Sequence, residues 1–259
     1  PAAARAVKPH RMHLVEIGHR AVLLGDLDDL GHRADVAVHR VDRFEGDDLR
    51  RLGGQLGQLA VEIHSGSRGL GHQVCSDYVK RFQKAIHTHG LRLPDRELAC
   101  APLDSALGQT YLGAMRAGIN CALANRQILM HRAREVFEQV LGIGPRDLAM
   151  HQVYDVCHNI AKMEVHQVDG QDKKLCVHRK GATRAFPPGH PSVCPDYRHI
   201  GQPILIPGDM GTASYVLVGT TDAMEESFGT SCHGAGRTMS RTAAKKKIHG
   251  GTLRRELEE

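Results

Sequence analysis

The chain has 259 residues, of which 41% are hydrophobic, only 4% are aromatic and none is tryptophan, so a core has to be built from Leu, Val, Ile, Ala and Met. A net charge of +5 and a pI near 8.9 are compatible with a polyanionic partner but too weak to establish one. Seven cysteines, odd in number and without a CxxC pair, argue against a disulfide framework; with no secretory signal and no apolar run of transmembrane length, the chain reads as cytoplasmic, soluble and without a membrane partner.

In chain order, residues 1–60 form a poorly defined N-terminal segment. Arg, His, Asp and Leu dominate it, Phe44 is its one aromatic residue, and neither helical nor strand period persists. Leu14–Ile17 and Ala21–Leu24 are short strand candidates, whereas Asp26–Asp29 and the glycines at 53, 54 and 57 read as loop. The patterning sharpens over 61–259. Ala60–Ile63 reads as a buried strand entering the glycine-rich turn His64–Gly71, and a helix follows over about His72–His89. After a loop carrying Pro94 and Pro102, Gln109–Leu141 has apolar residues at 112, 115, 119, 123 and 129, in rough helical spacing, with Gly113 and Gly118 as candidate breaks. Pro145 suits the first turn of a short helix.

The remainder is rich in strands. Gln152–Cys157 alternates and is expected to be a strand that delivers His158 at its end. Met163–Val168 and Lys174–His178 flank Asp169-Gly170, a hairpin signal, and Pro203–Ile206 and Ser214–Val218 are two further strands. Runs of helix followed by runs of strand predict an α+β fold of mixed sheets with helices. The run Lys245-Lys246-Lys247 reads as a solvated patch.

The chemistry concentrates in blocks that mix histidine, glycine and basic residues. In Ser231-Cys232-His233-Gly234-Ala235-Gly236-Arg237, backbone can approach a phosphate because side chains are absent, an imidazole can attack phosphorus, and an arginine fork can steady phosphate oxygens. Those seven residues alone are equally a glycine-rich turn with a surface histidine. Four more blocks accompany them: His64-Ser65-Gly66-Ser67-Arg68-Gly69-Leu70-Gly71-His72, Asp155 to Ala161 with His158-Asn159 at its centre, His178 to Phe186, and Pro207-Gly208-Asp209-Met210-Gly211 continuing to Tyr215. His64 and His158 are both expected where a strand gives way to a turn, positions that can converge at a sheet edge.

In this order the five blocks resemble the RtcB family of RNA-splicing ligases, from about Glu62 to Arg241, and five motifs in series make the resemblance specific. It implies an RtcB-like fold and a partial catalytic domain over 61–259. It also implies a GTP- and Mn²⁺-dependent ligase that joins RNA 3′-phosphate or 2′,3′-cyclic phosphate ends to 5′-hydroxyl ends. His233 is then the residue guanylylated, and His64 and His158 are manganese ligands. A third ligand is His13, in Met12-His13-Leu14-Val15-Glu16, although Met12 stands where the family has asparagine. GTP contacts fall on Asn159, Pro207, Gly208, Asp209, Met210, Ser214, His233, Gly234, Ala235 and Gly236. Arg68, Arg179, Lys180 and Arg237 are the RNA-phosphate candidates. With Phe186, Tyr215 and Phe228 the only nearby aromatic platforms, RNA recognition is expected to rest on phosphate ends.

Departures from the family pattern matter as well. Its Asp-x-x-Cys metal motif and its C-terminal lysine have no counterpart here, and a chain that opens on Pro1 and stops in a charged segment at Glu259 reads as a fragment. Imidazoles alone favour a borderline first-row ion over Mg²⁺ without selecting manganese. Two alternatives therefore stand beside the ligase: an inactive metal- or RNA-binding fragment of one, and a metal-dependent phosphoesterase that ignores GTP. The sequence leaves open whether tRNA halves, a messenger RNA or damaged RNA is joined.

Overall fold

The structure, a computed structural model, describes residues 12–17, 20–25, 35–40, 52, 59–94, 98–208, 214–234, 241–247 and 250–251. Contacts divide the chain at other places than residue 60. One unit comprises Pro1–Asp29, Asp35–His64 and Ala149–Glu259, and the other Leu30–Ala34 with Ser65–Leu148.

The second unit is helical. Helix α1 spans Gly69–Thr88 and α2 spans Ala106–Leu141. A single turn, α3, follows at Pro145–Leu148, where Pro145 was expected to open a helix. The α2 N-terminus is capped by Ser105, whose hydroxyl accepts the Gly108 N–H at 3.0 Å. Neither Gly113 nor Gly118 breaks α2. Gly118 is buried, and a Cβ there would meet Gly71 of α1 at 3.9 Å, so a small residue suits the close approach of the two helices. Tyr111 stacks its edges against Tyr78 and Phe82, with ring centroids at 5.3 and 5.1 Å, and Leu112, Ala122, Leu129 and Phe137 complete the buried stripe.

The first unit holds small antiparallel sheets, so helices and sheets together give the expected α+β character. Strands β1 (Met12–Ile17), β2 (Arg20–Gly25), β3 (Asp35–Arg40) and β4 (Leu59–His64) pair in that order, with Asp35 opposite His64. The two early strand expectations are met; the loops expected at 26–29 and around residues 53, 54 and 57 lie outside the described residues. Strands β5 (Asn159–Val168) and β6 (Gln171–Lys180) form a long hairpin. Its two-residue turn is Asp169-Gly170, with φ of 55° and 74°, the twist a tight hairpin requires. Strand β7 (Ala182–Arg184) pairs with β10 (Thr230–Cys232), and β8 (Pro203–Ile206) pairs with β9 (Tyr215–Val218). Helix α4 spans Thr221–Ser227 and α5 Arg241–Lys247, where Lys246 and Lys247 are exposed.

One strand expectation fails. Residues 152–157 carry no strand pairing; Tyr154 is held by a hydrogen bond from Gln202 to its hydroxyl at 3.0 Å and by edge packing on Tyr197. Pairing begins only at Asn159 opposite Lys180, so His158 precedes a strand instead of ending one.

The β5–β6 hairpin has inverted patterning. Glu164 and His166 face inward, whereas Met163 and Val165 are 47% and 58% exposed. The buried carboxylate is matched by Arg179 of β6, whose Nη1 and Nη2 donate to Glu164 Oε1 and Oε2 at 2.8 and 2.9 Å, and His166 Nε2 donates to Oε2 at 2.9 Å. Arg179 also donates from Nε to Thr230 Oγ1 at 2.9 Å and from Nη2 to the Phe228 carbonyl at 2.8 Å. Around this network Ala185, Phe186, Val193, Ile200 and Ile204 form the apolar core. Gly229 closes against Phe186: with φ of 60°, a Cβ there would lie 2.4 Å from the ring.

Two stability predictions arise. Burial raises the Glu164 pKa, but the hydrogen bonds from Arg179 and His166 and the arginine charge outweigh it, leaving the carboxyl below its ordinary 4.5. A depressed carboxyl stabilises the fold above the ordinary carboxylate range and loses that contribution as pH falls through its folded pKa. Thermal melts should therefore show Glu164→Gln less stable than the parent at neutral pH, with the gap narrowing under acid. Thr183 Oγ1 is buried with no hydrogen-bond partner among the described residues. An unsatisfied buried hydroxyl costs about 1–3 kcal/mol, so Thr183→Val should melt at or above the parental temperature.

Candidate active site

Three imidazoles converge in the sheet-containing unit. His64 is the last residue of β4, His158 the residue before β5, and His233 the residue after β10, so three different strand ends supply them. His64 Nε2 and His158 Nε2 lie 3.0 Å apart, and the His158 and His233 rings stack with centroids at 4.0 Å and planes at 19°. The His64 ring meets His233 edge-on at 5.9 Å. All three are half-buried, and one nitrogen from each lies within 4.8 Å of the others. The expected convergence of His64 and His158 is found, and the expected nucleophile stands beside them.

Gly181, the residue after β6, fixes both rings. Its carbonyl can only accept, so the 2.8 Å contact with His233 Nδ1 requires a proton on Nδ1, and in the neutral ring the lone pair is then on Nε2. The His233 backbone N–H reaches the same carbonyl at 3.3 Å. In the other direction, the Gly181 N–H can only donate, and Asn159 Oδ1 accepts it at 3.0 Å. This orients the Asn159 amide, whose Nδ2 then donates to His158 Nδ1 at 3.0 Å. Without an ion, a neutral His158 then carries its proton on Nε2, directed at His64 Nε2; an ion held at Nε2 takes the place of that proton, with Nδ1 then protonated and the Asn159 amide turned to accept from it. Gly181 holds φ of +63°, and a Cβ there would meet the His233 ring at 3.5 Å.

The donor set suits a borderline ion. The ring nitrogens of His64, His158 and His233 lie close enough together for imidazoles to share one ion. The gap between His64 and His158 accommodates a shared proton or an ion, but not both. Among the described residues the cluster offers imidazoles alone, ligands compatible with Mn²⁺ and bound more tightly by Zn²⁺ in the intrinsic affinity order.

Beside it lies a polar relay. The Gly208 N–H donates to Ser214 Oγ at 3.0 Å, and the Ser214 hydroxyl hydrogen-bonds Glu62, whose pKa is raised by burial and partly lowered again by that bond. Gly234, with φ of +141°, would bring a Cβ to 3.5 Å from the Pro207 carbonyl, so the expected nucleotide residues Pro207, Gly208, Ser214 and Gly234 frame one edge with His233 and Asn159. Asp209, Met210, Ala235, Gly236 and Arg237 lie outside the described residues.

The basic residues divide. Lys180 is exposed at the end of β6, opposite Asn159 and next to Gly181. Arg68 is exposed in the helical unit, at the start of α1 with φ of 54°. Arg179, expected to meet RNA phosphates, is instead 3% exposed and committed to Glu164, Thr230 and Phe228; burial beside a carboxylate removes it from phosphate binding. His13 lies in β1 opposite Leu24. Sequence reasoning did not single out Gly181 or Glu62. Gly181 lay inside a flagged block, but its two backbone bonds depend on pairings that only the fold supplies.

A family model described as the tRNA-splicing ligase RtcB matches residues 36–259, starting well before Glu62 and taking in β3. The chain is similar to the "tRNA-splicing ligase RtcB" of Archaeoglobus fulgidus, at 53% identity over 91% of this chain and 48% of the relative. Similarity to the Thermococcus kodakarensis protein of the same description is 52%, over 90% of this chain and 48% of the relative. The "RNA-splicing ligase RtcB homolog 1" of Entamoeba dispar is 49% identical over 85% of this chain and 41% of its own length. The chain thus spans about half the length, or less, of the curated relatives it matches. Among the described residues, no helix is long and apolar enough to cross a membrane.

The imidazole cluster makes a direct prediction. Titration with Co²⁺ should give visible absorption bands in the parent, and His64→Ala or His158→Ala should abolish them. Bands of parental intensity in both variants would place the ion elsewhere.

Proposed function

The chain belongs to the RtcB family of tRNA-splicing ligases, and we propose that it carries the nucleotide-transfer centre of a GTP-dependent RNA ligase, with His233 as the nucleophile. The observation that carries this reading is the 2.8 Å bond from His233 Nδ1 to the Gly181 carbonyl, which in the neutral ring puts the proton on Nδ1 and the lone pair on Nε2, with Gly234 next in the chain and packed toward the Pro207 carbonyl.

A histidine that attacks phosphorus must be neutral, aimed and openly approached. Nε2 of His233 attacks the α-phosphorus of GTP. The Nε2–P bond forms as the bond from that phosphorus to the bridging oxygen breaks, and pyrophosphate leaves. The ring gains positive charge as it does so, and the Gly181 carbonyl, already holding Nδ1–H, stabilises it without moving a proton. An RNA 3′-phosphate oxygen then attacks the same phosphorus, the N–P bond breaks, and GMP passes to the RNA end. Where the end is a 2′,3′-cyclic phosphate, water first opens it. Finally the 5′-hydroxyl oxygen attacks the RNA phosphorus and GMP departs. Activation is the purpose of the sequence, because a 3′-phosphate is a poor electrophile until it carries a leaving group.

His64 and His158 are the residues that would hold a divalent ion, Mn²⁺ in this reading, supported by the convergence of their ring nitrogens. Bound there, such an ion supplies charge stabilisation to phosphate oxygens. Pro207, Gly208, Ser214, Asn159 and Gly234 present backbone and small polar groups to the nucleotide. Lys180 meets a phosphate in this reading, supported by its exposure opposite Asn159. The RNA partner, tRNA halves among the possible substrates, is then held by its ends.

Incubation with α-labelled GTP and Mn²⁺ tests the reading. The parent should take up acid-labile, alkali-stable label, and His233→Ala should take up none. ³¹P and ¹H NMR should place the phosphoramidate on Nε2. Folded, metal-loaded protein without label would make the chain a binding fragment, and phosphate release indifferent to GTP would make it a phosphoesterase.

A further inference from the structure

We infer that Arg179 is a positioning residue for His233: its buried guanidinium holds the 228–230 segment so that β10 delivers the imidazole onto the Gly181 carbonyl. The inference rests on the nucleophile reading above for its catalytic consequence, and on the geometry alone for its structural one.

Strand β10 has three residues, paired as Thr230 with Arg184, Ser231 with Thr183 and Cys232 with Ala182. A ribbon so short does not hold its own register. Its entry is also costly. Phe228 and Gly229 have φ of 54° and 60°, and Phe228 is a bulky residue in the left-handed region. Arg179 ties down this entry at two points, donating to the Phe228 carbonyl at 2.8 Å and to Thr230 Oγ1 at 2.9 Å. Its remaining donors are fixed by Glu164, itself fixed by His166, so the guanidinium has one orientation. Arg179 lies two residues before Gly181 on the same chain segment. One strand end thereby grips β10 at its first residue and receives His233, three residues later, through Gly181. Loosening the grip lets β10 shift along β7, and the Nδ1–H···O=C bond that selects the nucleophilic nitrogen is the contact that breaks.

Long-range ¹H–¹⁵N spectra of histidine-labelled protein at alkaline pH, assigned with His233→Ala, read the tautomer of His233 without GTP. The parent should show the Nδ1–H form. Thr230→Val, which keeps shape but removes the Nε acceptor, should show both tautomers, as should Arg179→Lys. Thr230→Ser should restore the parental spectrum, which general destabilisation would not predict. In the labelling assay the same two variants should lose rate at saturating GTP by on the order of 10- to 100-fold, with little change in half-saturating GTP. Thr230→Val guards against a misfolded Arg179 variant, because it leaves the Glu164 ion pair intact. Retention of the Nδ1–H tautomer in the folded variants, or an undiminished rate where the parent labels, overturns the inference. An unlabelled parent whose tautomer still responds would count against the ligase reading and not against the positioning role.

Discussion

The site depends on one hydrogen bond, from His233 Nδ1 to the Gly181 carbonyl. Neutral imidazole has one proton and two nitrogens, and a nucleophilic histidine is useful only if the proton is on the nitrogen facing away from the substrate. A backbone carbonyl makes that choice permanently, because it can neither donate nor titrate. The Gly181 N–H makes the complementary choice for His158 through Asn159. Two rings of identical chemistry thus have opposite tautomers, set from the two sides of a single glycine. In the neutral, ion-free site one has its lone pair on Nε2, and the other directs its Nε2 proton at His64.

Behind this lies a buried ion pair that does little for stability by attraction alone. Desolvating a carboxylate and a guanidinium costs several kcal/mol per ion, and their mutual attraction only about balances that when every donor and lone pair is satisfied. Here the bidentate Glu164–Arg179 contact, the His166 donor and the Phe228 and Thr230 acceptors provide such satisfaction. What the fold obtains from the arrangement is orientation, linking the hairpin to the segment that leads into His233.

Much of this was legible in the sequence, and unevenly so. The Asp169-Gly170 turn announced the hairpin because few residues accept φ above zero twice in succession. The spacing of Leu112 and Leu129 announced α2 even though two glycines interrupt it, since tertiary packing outweighs about 1 kcal/mol of helix propensity per glycine. His64, His158 and His233 were found through their flanking motifs. The strand expected at 152–157 failed because alternation cannot distinguish a paired strand from an unpaired segment pinned by Tyr154 and Tyr197. Arg179 was misassigned for a related reason: a basic residue in a glycine-bearing block looks like a phosphate ligand until the fold brings a buried carboxylate within reach of it. Nothing local marks Glu164 as that partner, fifteen residues away across the hairpin.

The inverted hairpin has a consequence for folding fidelity. Ordinarily a strand's register is guarded by its apolar face, because a slip by one residue would turn that face to water. In β5 the guard is reversed. A one-residue slip would carry Met163 and Val165 inward and Glu164 and His166 outward, an exchange that hydrophobicity alone favours. The ion pair with Arg179 is what opposes it, together with the two-residue turn. The charges at the centre of this unit therefore act as a register key, discriminating the native pairing from a competitor that a more apolar interior would have welcomed.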